Sequence, residues 1–227
     1  MIKKITAQQL YNKLSKINFA NNKGCITFTL ANVSVKINTT DTVGITLQAW
    51  VKQFMVDKNI FFIEPANTQE FPDFYLNDIE RNRHMLEIKA FNYNATPAFD
   101  IANFESYCES VKNKPFRLDA DYLIFGYTME TNGDITIKKI WLKKIWEIAG
   151  TSQLYPLKTQ VKRGMIYNIR PNSEFKYDKS SPFSNKSQFL KAIYDTLCMY
   201  KKSSVANEWK ATLISNYKKY YNNTLVF

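Results

Sequence analysis

Residues 85–90 read Met85-Leu86-Glu87-Ile88-Lys89-Ala90, and fourteen residues before Glu87 stands Asp73, within Phe71-Pro72-Asp73-Phe74. Leu86, Ile88 and Ala90 alternate with Glu87 and Lys89, the period of a strand that turns one face to a core and shows charge on the other. Residues 71–76 read as a second short strand. The polar turn Asn77-Asp78-Ile79-Glu80-Arg81-Asn82 separates it from a strand over residues 84–91. If the two pair, Asp73 meets Glu87 at one end of a sheet, and two carboxylates and one ammonium converge there.

Outward from this point the patterns alternate. Thr6-Ala7-Gln8-Gln9 has the form of a capping box, and Leu10, Leu14 and Ile17 continue one helical face. Residues 25–30 and 33–37 read as strands around the turn Ala31-Asn32. Val43, Leu47, Trp50, Val51 and Phe54 recur at helical spacing, and residues 59–63 read as a short strand. A helix is expected from Ile101, with Asp100 as its cap. Residues 122–128 and 135–141 flank Thr131-Asn132-Gly133-Asp134, a hairpin signal. Two helices close the chain, through Phe189, Ile193 and Leu197 and then Trp209, Leu213 and Tyr217. The stretch 155–186, with Pro156, Pro171 and Pro182, reads as loops and short strands. The expected fold class is α/β (α+β), a central mixed β-sheet flanked by helices. One domain over residues 1–227 is expected, with a catalytic core over about 40–145 and a basic region over about 138–227.

The acid pair and lysine fit phosphodiester hydrolysis. Carboxylate oxygens hold Mg²⁺, which keeps several waters and bridges to phosphate. Asp73 and Glu87 are the candidate metal ligands, with the Ile88 carbonyl as another, and Lys89 would orient or help deprotonate the attacking water. Glu70 and Glu64 are the candidates for a further acid. The competing reading of Glu87 and Lys89 is an exposed strand face with a cross-strand pair to Arg81 or Arg83. Glu-x-Lys also occurs at Glu174–Lys176 and Glu208–Lys210. The first of these sits in a loop-like, Pro-flanked segment. The second sits in a helical pattern, where residues two apart diverge.

Pro72-Asp73 followed by Glu87-Ile88-Lys89, on two predicted strands with a helix after them, resembles the PD-(D/E)xK nuclease superfamily. Within it the chain resembles type II restriction endonucleases. The resemblance implies a restriction-endonuclease-like core and Mg²⁺-dependent cleavage of double-stranded DNA at a specific, palindromic site. A palindrome implies a homodimer. The helices carrying Trp50 or Trp209 are candidate interface faces, and equally candidates for the core.

Composition narrows the field. A single histidine, His84, among 227 residues excludes a multi-His zinc site and a His-pair acid/base mechanism within one chain. It stands three steps from Glu87, on the opposite strand face. Cys25, Cys108 and Cys198 form no CxxC, and burial in apolar patterns is expected of them. No apolar run is long enough to span a bilayer and no signal-peptide core follows Met1, so a soluble intracellular protein is expected, and the resemblance implies a prokaryotic, cytoplasmic one.

The net charge of +11 is segregated. Residues 1–130 hold 14 basic and 14 acidic side chains, and residues 131–227 hold 17 basic and 6 acidic. A one-sided basic surface interleaved with aromatics fits a polyanion such as DNA. Lys138, Lys139, Lys143, Lys144, Lys162 and Lys186 are candidate phosphate contacts. Arg163, Asn168, Arg170 and Asn172 are candidates to read bases. Two other readings stay open: a structure-specific or repair nuclease, and a non-catalytic DNA-binding protein.

Overall fold

The computed structural model describes residues 2–67 and 70–227, which divide into two compact units. The first runs to Thr96 and resumes over Asp121–Lys143. The second holds Pro97–Ala120 and Lys144–Phe227.

The first unit opens with α1 (Ala7–Leu14), started by the expected capping box: Thr6 accepts from the Gln9 amide and Gln9 answers the Thr6 amide. The hairpin β1 (Ile26–Leu30) and β2 (Val33–Ile37) follows. Its turn, Ala31-Asn32, has positive φ at both residues, the conformation that matches the twist of a two-residue hairpin. Helix α2 (Val43–Asp57) comes next, then β3 (Phe74–Tyr75) and β4 (Met85–Asn92). Residues 59–63 form no strand of their own and make single bridges, Ile60 to Lys3 and Ile63 to Tyr75.

The second unit contributes β5 (Ala102–Asn103) and α3 (Phe104–Asn113) before the chain returns for β6 (Asp121–Met129) and β7 (Ile135–Lys143). The sheet of the first unit is therefore mixed, in the order β3-β4-β6-β7. β4 and β6 are parallel and the other pairs antiparallel, as the intervening crossover requires. Helix α1 packs on β6 and β7, and α2 packs on β4. Leu86 and Ile88 enter one core with Leu10, Val51, Met55, Leu123 and Phe125. This is the α/β mixed sheet flanked by helices that the patterns indicate.

The rest of the second unit is α4 (Ile145–Ile148), the hairpin β8 (Thr159–Lys162) and β9 (Met165–Ile169), α5 (Lys186–Tyr200) and α6 (Ser203–Tyr221). β9 lies between β8 and β5. The expected helix start at Ile101 is corrected here. Ala102 and Asn103 pair with Ile169 and Asn168, so the helix begins at Phe104 and Asn103 is its cap. Asp100 pairs instead with Arg170. Cys25 also departs from expectation: it is exposed, whereas Cys108 is buried. Trp209 belongs to the core and donates to the Cys108 carbonyl. Among the described residues no helix is long and apolar enough to cross a membrane.

Candidate active site

β3 is only two residues long, and its shortness creates the site. Phe74 pairs with Leu86 and Tyr75 with Met85, after which, among the described residues, the β3 side of β4 has no further strand partner along Glu87, Ile88 and Lys89. Asp73, the residue just before β3, fills that position with its side chain. Its Oδ2 accepts from the Ile88 amide at 2.6 Å. In return the Asp73 amide donates to Glu87 Oε2 at 3.2 Å. The carbonyl of a strand residue leaves on the same edge as its amide, so the Ile88 carbonyl shares this edge with Asp73.

Glu87 and Lys89 share the face opposite Leu86 and Ile88, as the alternation requires. Lys89 Nζ lies 2.9 Å from Glu87 Oε1, and Glu87 is only 8% exposed. Neither Arg81 nor Arg83 is the partner of Glu87: Arg83 pairs with Glu80 in its own turn. Two carboxylates are thus held together against one ammonium. Burial, and then the negative charge of Glu87, push the Asp73 carboxyl up to about 7; the Ile88 amide and Lys89 oppose the rise only in part.

Sequence reading missed one member of the site. Gln48, on α2, donates from Nε2 to Asp73 Oδ1 at 2.9 Å. Each Asp73 oxygen therefore has its own donor, which fixes the carboxylate plane. One turn further along α2, Lys52 pairs with Glu64, the other candidate acid, at 2.6 Å. Glu70 is exposed and its amide donates to the Asn67 carbonyl. Among the described residues no group of three or more His, Cys, Asp or Glu gathers as a metal cluster. Asp73, Glu87 and the Ile88 carbonyl are nevertheless a hard-oxygen set with an excess of negative charge. That suits a cation which keeps several of its own waters.

A model of the family described as NgoBV restriction endonuclease matches residues 4–227. The chain belongs to this family. It is 40% identical to the type II restriction enzyme NlaIV of Neisseria lactamica over 230 residues, 98% of this chain and 93% of that one. It is 43% identical to the type II restriction enzyme NgoBV of Neisseria gonorrhoeae over 148 residues, 64% of this chain and 83% of that one. The solved structure of NlaIV restriction endonuclease superposes with a TM-score of 0.91 at 38% identity, covering 100% of this chain and 94% of the other. The likeness to type II restriction endonucleases is thereby established, and it is to the NlaIV and NgoBV group. The narrower likeness to SwaI, which matching size suggests, gives way to that group.

The candidate DNA contacts fall into two sets. Lys138, Lys139 and Lys143 lie on β7, with Lys139 Nζ 5.4 Å from the Trp141 ring centre. Lys162 and Arg163 form the exposed tip of the β8–β9 hairpin, where Arg163 and Gly164 both take positive φ. The other candidates have internal partners. Lys144 Nζ donates to the Asp119 carbonyl at 2.6 Å, and Lys186 lies 3.2 Å from the Asp119 carboxylate. Asn168 donates to Gln160 at 3.2 Å, and Arg170 holds Asp100. Asn172 is buried; its amide donates to the Glu147 and Ala149 carbonyls and accepts from the Glu174 and Phe175 amides. That set of bonds uses the side chain inside the protein.

Proposed function

We propose that the protein is a Mg²⁺-dependent type II restriction endonuclease of the prokaryotic cytoplasm that hydrolyses phosphodiester bonds in double-stranded DNA at a specific, palindromic site, working as a homodimer. The observation that carries this reading is the meeting of Asp73, Glu87 and Lys89 where β3 ends, in a chain of the NgoBV restriction endonuclease family.

Asp73, Glu87 and the Ile88 carbonyl are the groups that would hold the cation. When bound, it supplies Lewis-acid polarisation of the scissile phosphate and raises the acidity of water. The protein's own residues do the rest. Gln48 and the Ile88 amide keep the Asp73 carboxylate in one orientation. Glu87 holds the Lys89 ammonium beside the carboxylates, where it orients the attacking water and opposes negative charge that develops on the phosphate oxygens. Burial of Glu87 restricts solvent and strengthens each of these interactions. The tip of the β8–β9 hairpin, with Lys162 and Arg163, and the lysines of β7 contact DNA phosphates and bases.

Supercoiled plasmid incubated with the protein gives discrete, reproducible fragments with Mg²⁺ and none with EDTA. Asp73→Ala abolishes cleavage and leaves DNA binding in place. Cutting confined to branched or mispaired DNA would move the assignment to a structure-specific nuclease. Shifted but intact DNA under every divalent metal would overturn catalysis altogether.

A further inference from the structure

The β1–β2 hairpin is an amphipathic ribbon with its apolar side open. The register pairs Ile26 with Ile37, Phe28 with Val35 and Leu30 with Val33, so these six side chains share one face. The other face is polar: Thr27 opposite Lys36, and Thr29 bonded to Ser34 at 2.8 Å. Among the described residues the ribbon is anchored near its base, by the Gly24–Ile135 bridge, by Ile26 against the core and by the Lys36–Asp134 pair. Beyond the base, Phe28 is 56% exposed, Leu30 67%, Val33 71% and Val35 50%. A two-stranded ribbon is marginal in water by itself, and burying its apolar face is what stabilises one.

We propose that this face is the surface on which a second copy of the chain docks, hairpin face against hairpin face about a two-fold axis. The inference rests on the homodimer put forward above and locates its interface.

Three observations select this occupant. The first is area. The four exposed side chains offer on the order of 400 Å² of apolar surface, near the size at which a patch marks an association site. The face continues through Ile26 into a groove of about 360 Å³ lined by Phe19, Leu47 and Trp50, with Trp50 38% exposed. The second is charge. Lys23 pairs with Glu130 and Lys36 with Asp134, so the lysines beside the ribbon are neutralised, whereas a phosphate backbone demands free cations. The β8–β9 hairpin is the opposite case: no acidic residue lies between Thr151 and Ser173, and its exposed tip carries Lys162 and Arg163. The third is symmetry. A two-fold contact puts the same patch on both partners, and an uncharged apolar face meets its own copy with nothing unpaired.

The test does not depend on activity: the oligomeric state of the full chain is read by sedimentation velocity across a dilution series, without DNA and with a duplex in EDTA. The variant Leu30→Lys with Val33→Glu makes the face polar while its new side chains face each other across the strands and keep the hairpin paired. Each substitution counts twice in a two-fold contact, so the dimer dissociation constant rises on the order of a hundredfold or more. Thr29→Lys, on the polar face, leaves it unchanged. Hydrogen exchange of the unaltered protein reads the same contact without a variant: amides of residues 26–37 lose protection on dilution through dimer dissociation. A wild-type dimer that persists unweakened in the double variant, with no change in hairpin exchange, overturns the hairpin interface and leaves the homodimer standing. Hairpin protection that depends on DNA and not on protein concentration assigns the face to DNA and overturns the proposal. A monomer under every condition overturns both readings.

Discussion

Gln48 is expected to act on cleavage through Asp73 alone. Its Nε2 donates to Asp73 Oδ1 at 2.9 Å, and the Ile88 amide holds the other oxygen at 2.6 Å. Removing the first donor leaves the carboxylate free to turn about the second. A hydrogen bond to a charged acceptor contributes about 1.5–3 kcal/mol. Because that bond orients a candidate metal ligand, its loss should cost roughly 10–100-fold in activity or metal affinity. Gln48→Ala removes the donor, and Gln48→Leu removes it while keeping the bulk; both should lose the same factor. The assay is single-turnover cleavage with enzyme in excess, repeated over a range of Mg²⁺ concentrations, beside duplex binding in EDTA. The rate constant falls, half-saturating Mg²⁺ rises, and binding in EDTA stays as it was. A Gln48→Leu protein with unaltered rate and Mg²⁺ dependence would show that Asp73 needs no help from α2. Full rescue by Leu but not Ala would assign Gln48 to packing.

The remaining expectations concern proton linkage and packing. Asp73 is raised to about 7, so its carboxyl is mostly protonated at pH 6 and mostly ionised at pH 8; apparent Mg²⁺ affinity should rise about tenfold over that interval with proton release. Calorimetric titration in two buffers of different ionisation enthalpy measures this, and a flat profile contradicts the buried pair. The folded pKa lies above the unfolded value of 3.8, so the metal-free protein loses stability from this group as pH rises from about 4 to 7. Mg²⁺ should therefore raise Tm more at pH 8 than at pH 6. Asn172→Ala strips four internal hydrogen bonds and should lower stability by about 2–3 kcal/mol in urea unfolding, with the salt slope of DNA binding unchanged. Gly126→Ala would bring a Cβ to 2.8 Å from the Tyr93 ring and 2.9 Å from the Trp141 ring, and should cost about 1–3 kcal/mol by the same measurement.

Features set by local chemistry were legible in the chain. The Thr6–Gln9 box, the Ala31-Asn32 turn and the Gly133 turn depend on residues a few positions apart, and each formed as expected. The alternation around Glu87 is equally local, since a strand places residues two apart on one face whatever surrounds it. What lies across the fold was not legible. The start of α3 moved to Phe104 because β9 claims Ala102 and Asn103, some 65 residues away in sequence by the register of the pairs. Asn172 is a candidate base contact by its type and neighbours, and four backbone groups claim its side chain.

By itself, then, the sequence determined the parts of this protein that short-range geometry dictates: Glu87 and Lys89 on one strand face, Leu86 and Ile88 on the other, and a basic half after a neutral one. Only the tertiary structure decided what those parts meet. β3 begins only at Phe74, so among the described residues the Asp73 side chain fills the edge beside Ile88. α2 packs on β4, so Gln48 reaches Asp73 from 25 residues away. The physical reason is that a carboxylate's orientation and charge depend on donors and burial gathered through space, and no pattern of neighbouring residues carries that information.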